Sequence, residues 1–131
     1  MNRTRMILKE MNGLREVSNH TKKTRDMVKI EKGNKLEHET LKFLICYIMK
    51  EKSQKFLTEC RFIQGGRADC FCLTTQYIYE ILMSEKESNI EEKKKIYPNY
   101  YIVKIFAKNY MKELKGINKI YEKLKDIVYD C

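Results

Sequence analysis

The sequence predicts an α/β fold, one sheet of about four strands with helices over both faces. Three observations predict it. A helical apolar period opens at residue 34, three strand-like runs follow in succession, and the chain then alternates helix, strand and helix. With 131 residues, 43% of them hydrophobic, the chain is long enough to bury one core and reads as one domain.

Residues 1–33 hold nine Lys or Arg against four acids, with Gly13 and Gly33 as breakers and a weak apolar period through Met6, Leu8, Met11 and Leu14. They read as a basic amino-terminal arm, and residues 34–131 as the folded domain. In KLEHETLKFLICYIMKEK, the residues Leu41, Leu44, Ile45 and Ile48 keep helical spacing, with Asn34 as a cap and Glu37 three residues on. The period becomes strand-like in KFLTECRFI, and Gly65-Gly66 turns the chain into RADCFCL and on to YIYEILM, a three-stranded antiparallel meander. Both faces of the middle hairpin are apolar, which places it centrally under helices on each side. SNIEEKKKIYP is a short polar helix stopped by Pro98, and NYYIVKIFA is a fourth strand. A last long helix, residues 110–131, carries a stripe at Met111, Leu114, Ile117, Tyr121, Leu124 and Val128 that could pack on the core or pair two copies as a homodimer.

A formal net charge of +9 favours a polyanionic partner, with DNA the first candidate. No run approaches eighteen apolar residues, and the first thirty lack the apolar centre of a signal peptide, so the expectation is a cytoplasmic protein without a membrane partner. Five cysteines, with no second close pair of Cys or His to complete a zinc set, read as small buried side chains.

Two acids stand out in GGRADCFCLTTQYIYEILMSE. Asp69 and Glu80 lie among apolar residues, and they share a face of the hairpin whenever its turn holds an even number of residues. A two-residue turn at Thr75-Gln76 makes them diagonal neighbours; a four-residue turn sets them directly opposite. In both cases two carboxylates converge, and a hard divalent ion such as Mg²⁺ relieves their repulsion with few protein ligands. The plainer alternative pairs Asp69 with Arg67 and Glu80 with a lysine as structural ion pairs. On the first helix, the buried stripe extends backwards through Glu37 and His38 and leaves Glu39 on the flank with Lys42, which favours Glu37 as a site acid. His38 reads as a hydrogen-bonded structural group. Lys93, Lys94 and Lys95 lie on the short helix beside the proposed site, where they would meet phosphate.

The Gly-Gly-Arg-Ala-Asp that opens one strand, the Tyr-Glu-Ile of the next and the order of elements around them resemble the PD-(D/E)XK, restriction-endonuclease-like nuclease superfamily over roughly residues 34–107. The likeness is to small archaeal or archaeal-viral members with a GRAD motif. It implies a mixed sheet, a Mg²⁺- or Mn²⁺-dependent nuclease acting on DNA, and Asp69 and Glu80 as metal ligands, with Glu37 completing the site. The E-x-K lysine that would assist the attacking water is absent, because Leu82 stands there. Lys94 is the preferred replacement, with Lys95, Lys86 and Arg67 as other sources; Arg67, Lys93 and Lys95 are expected to contact nucleic acid. The rival expectation is a non-catalytic nucleic-acid-binding or assembly protein of the same fold.

Overall fold

The computed structural model describes residues 2–83, 87–111 and 116–130. Lys86 and Leu114 lie outside them, as does Cys131. Helix α1 spans Arg3–Arg15, α2 Asn19–Lys22 and α3 Leu36–Glu51; strands β1, β2 and β3 span Phe56–Arg61, Arg67–Cys72 and Ile78–Leu82; then come α4 Glu87–Ile96, β4 Ile102–Phe106, α5 Lys108–Met111 and α6 Ile117–Lys125. The result is an α/β fold with a four-stranded mixed sheet flanked by helices. Its strands lie in sequence order, the first three antiparallel and β4 parallel to β3. The parallel pair follows from the α4 crossover, since parallel neighbours cannot be joined by a tight turn.

Alternation along the central strands sends side chains into two cores. Cys70, Cys72, Tyr79 and Ile81 pack with Leu41, Ile45 and Ile48 of α3 and with Ile120 and Leu124 of α6. On the other face Phe71 and Ile78 pack with Val17, Phe62 and Tyr97. This double cover is why β3 reads as an unbroken buried run, Glu80 included.

The first 33 residues are no free arm. Val17 is fully buried and pairs with Phe62, and the Gly13 backbone packs against Phe71 and Leu73. The following stretch runs along the outer edge of β1. Ser18 donates to the Arg61 carbonyl, Asp26 to that of Phe56, and Lys29 to the Thr58 hydroxyl. It thereby covers an edge strand that would otherwise present unpaired backbone groups.

Two helix boundaries also differ from expectation. Lys35, not Asn34, precedes α3, and the Asn34 side-chain amide donates to Glu39. The expected long final helix is broken at Gly116, whose φ of 89° lies outside helical space. The buried face of α6 is Ile120 and Leu124, continued by Val128, while Ile117 is half exposed. No helix among the described residues is long and apolar enough to cross a membrane.

Candidate functional site

The β2–β3 turn is Leu73–Gln76, the four-residue alternative. Cys72 accepts from Gln76 and donates to Tyr77, and Gln76 takes a left-handed φ of 64° to close it. The ladder then pairs Phe71 with Ile78 and Cys70 with Tyr79. One step further along this register, Asp69 stands opposite Glu80. Both acids open into a cavity of about 270 Å³, which Lys35, His38, Arg67 and Lys93 also line.

Each carboxylate is held by its own donors. The Ile81 amide donates to Asp69 Oδ2 at 2.8 Å, and His38 Nε2 lies 3.2 Å from Asp69 Oδ1. Burial alone would raise Asp69's pKa, yet His38 and the Ile81 amide hold it below the usual value. Glu80 goes the other way. Burial, and then the Asp69 charge, push it up to about 8, against the opposing pull of Lys93 and Tyr97. The two carboxylates therefore titrate as a coupled pair, with Asp69 the stronger acid and Glu80 the weaker.

Tyr97 caps one side of Glu80. Tyr97 Oη lies 2.7 Å from the Arg67 carbonyl oxygen and 2.6 Å from Glu80 Oε1, but a phenol has one proton to donate. The phenol donates to one of them at a time, and its donation to Glu80 opposes the rise that burial causes. Lys93 Nζ closes the far side, 3.4 Å from Glu80 Oε2.

A second charged cluster adjoins the first. His38 Nδ1 lies 2.9 Å from Glu39 Oε1, and the fully buried Lys42 lies 2.7 Å from Glu39 Oε2, an ion pair without the angle of a hydrogen bond. Lys42 also stands 3.7 Å from Glu59 Oε2, and Arg67 Nε 3.8 Å from Glu59 Oε1. Glu59 lies in β1 at the register position opposite Asp69, with a left-handed φ of 45°. Such a conformation in a strand interior is strained and typical of functional surroundings. Burial raises its pKa, with Lys42 opposing.

The expected residues therefore divide. Asp69, Glu80, Arg67 and Lys93 meet at the cavity. Glu37 is half-buried at the start of α3 and does not line it; His38, one residue on, reaches Asp69 instead. Lys94 and Lys95 turn back along the exposed side of α4 to Glu91 and Glu92, each 3.3 Å away, and of these three lysines Lys93 is the one that reaches the acid pair. Leu82 is buried at the end of β3. Sequence reasoning missed Glu39, Lys42, Glu59 and Tyr97. The available signal was Lys42 itself, a lysine between Leu41 and Leu44 within the apolar stripe of α3.

Among the described residues, no three His, Cys, Asp or Glu side chains form a metal cage. Mg²⁺ asks for less, since one or two carboxylates suffice and water fills the remaining positions. Asp69 and Glu80 suit that role chemically. They are adjacent, Glu80 is fully buried, and the repulsion between them favours a divalent cation. Comparison with protein-family models, curated proteins and solved structures gives no match.

Proposed function

We propose that this chain is a metal-dependent phosphodiester hydrolase acting on DNA, with a PD-(D/E)XK-type core. One observation carries the reading: Asp69 and Glu80 face each other across β2 and β3, in a cavity that Lys93 enters from the helix that follows. The sequence of helix, three antiparallel strands, helix and parallel strand around that pair supports it.

Asp69 and Glu80 would hold the ion, which when bound lowers the pKa of its water and offsets charge on the scissile phosphate. Lys93 brings an ammonium to the acid pair from outside the strand, the service that Leu82 cannot perform. Arg67, part-exposed, and Lys35, exposed at the cavity mouth, offer cations to flanking phosphates. A homodimer would use what α6 leaves outside, Ile117 with the neighbouring Phe43 and Tyr47, and sedimentation of the full chain tests it.

The test is cleavage of plasmid and oligonucleotide DNA by the full chain with Mg²⁺ or Mn²⁺. Asp69→Asn should abolish cleavage while sparing DNA binding; Lys93→Met should remove it and Lys94→Met should not. A second reading, a binding module without catalysis, is favoured by Leu82 and by the ammonium resting on Glu80. Metal-independent DNA binding with no cleavage by the wild type would establish that reading and end the first.

A further inference from the structure

We propose that Glu39 is a positioning residue of this site, acting on Asp69 through His38: it clamps the His38 ring so that Nε2 faces Asp69 Oδ1 at the cavity. The inference deepens the hydrolase reading and rests on it for its effect on rate, though not for its structural readout.

The argument begins with lone pairs. An ionised carboxylate accepts about four hydrogen bonds, two at each oxygen. Glu39 Oε1 meets His38 Nδ1 and the Asn34 amide, both at 2.9 Å. Glu39 Oε2 meets the Glu31 backbone N–H at 3.2 Å and Lys42 Nζ at 2.7 Å. Three acceptor positions hold hydrogen bonds within this chain, and the Lys42 ammonium stands beside the fourth as an ion-pair partner. Glu39 itself does not line the cavity and influences it through a partner. His38 is the partner that reaches the cavity.

The clamp is rigid because its anchors come from separate segments. Glu31 and Asn34 belong to the stretch before α3, whereas Lys42 lies one turn further along the helix, fully buried. Glu39 is held ionised, down to about 2, since Lys42, Asn34 and His38 outweigh the effect of burial. An anionic acceptor at Nδ1 leaves the ring one orientation, with Nε2 directed at Asp69 Oδ1. This is the carboxylate–histidine logic by which an outer acid fixes a ring and, through it, a functional group. Glu59 extends the buried chain beyond Lys42 to Arg67, which joins the cation at the rim to the same network.

Nitrogen-resolved NMR of the labelled full-length chain reads the clamp directly, with exposed His20 as internal reference. Near neutral pH the His38 ring should show an Nδ1–H resonance slow to exchange with water, while that of His20 is lost to exchange. Glu39→Ala should abolish the His38 signal, and Glu39→Gln, which keeps one carbonyl oxygen, should restore it in part. In the cleavage assay Glu39→Ala should lower kcat about ten-fold with KM little changed. If Glu39→Ala fails to fold because Lys42 is left without its partner, the double variant Glu39→Gln/Lys42→Met, which removes both charges, takes its place and should lose part of the signal. A His38 ring proton that exchanges alike in wild type and variants overturns the proposal, as does an unchanged kcat in a folded Glu39→Ala chain. A wild type that cleaves nothing defeats the hydrolase reading, and the ring-proton measurement then decides the clamp by itself.

Discussion

Replacing Gly66 by alanine should be the most damaging single-methyl addition in the protein. Gly66 has a φ of 84°, and a Cβ built there would lie 2.4 Å from Tyr97 Cε1 and 2.8 Å from Cδ1. Those atoms belong to a ring that cannot simply move away. Its hydroxyl is fixed to Glu80 and the Arg67 carbonyl, and its face packs on Phe62 at 5.3 Å between centroids. The left-handed backbone costs an L-residue about 1–2 kcal/mol. Overpacking against a fixed ring adds about 1–3 kcal/mol, for a total of about 2–5 kcal/mol. A chain of this size should then melt roughly 8–20 °C lower. Two references isolate the terms: Gly33→Ala, which meets nothing within 4 Å, and Gly65→Ala, with a φ of 119° but only the end of the Ile96 side chain at 3.2 Å. Urea unfolding followed by circular dichroism gives the three free energies. A Gly66→Ala loss no larger than that of Gly65→Ala would refute the ring clash, and a loss equal to that of Gly33→Ala would refute the strain as well.

Three further expectations concern charge and the amino-terminal segment. Because Glu80 is raised from 4.5 to about 8 in the folded chain, the stability it contributes is full below 4.5 and falls as pH rises towards 8. Asp69, lowered from 3.8, works oppositely and is lost as pH falls below that value. Melting temperature should therefore decline from pH 4.5 to 8, and Glu80→Gln should flatten the decline; an equal slope in both proteins contradicts the assignment. Lys42→Met leaves Glu39 and Glu59 buried without their cation and should cost about 3–5 kcal/mol in urea unfolding, part of it recovered on adding Glu59→Gln. Deleting residues 1–33 strips Val17 from the core and uncovers β1, so the truncated chain should lose its cooperative transition; a sharp transition with an undiminished urea slope would show that the segment is dispensable.

The sheet was legible because side-chain alternation records it. Strand runs, the even turn, the common face of Asp69 and Glu80 and the end of α4 before Pro98 all follow from period and parity. The role of residues 1–33 was hidden for a physical reason. Much of their attachment to β1 is made by backbone groups at Ser18, Asp26 and Lys29, which leave no mark on hydrophobic spacing. Phase misled at α3 because Lys42 looked like the start of a solvated flank, whereas it is buried between Glu39 and Glu59. That choice set Glu37 above Glu39. Within Lys93-Lys94-Lys95, composition could not show which lysine faces the acid pair, since neighbours on a helix differ by about 100° in direction. The missing strand lysine was visible, but its stand-in depends on how α4 crosses the sheet.

That crossover has a consequence for the order of assembly. β1, β2 and β3 join through short connections, so their contacts close small loops and form early. The parallel β3–β4 pair must wait for the whole stretch from Leu82 to Ile102 to be drawn back, and that stretch carries Lys93 and Tyr97. Until it docks, Asp69 and Glu80 face each other without the ammonium and phenol that quiet them. The acid pair then opposes the neighbouring strand pairing, and docking of this crossover is what completes the site. Pulse-labelling hydrogen exchange should find Cys70 and Tyr79 amides protected before those of Val103 and Ile105, with the Tyr97 environment maturing alongside the latter.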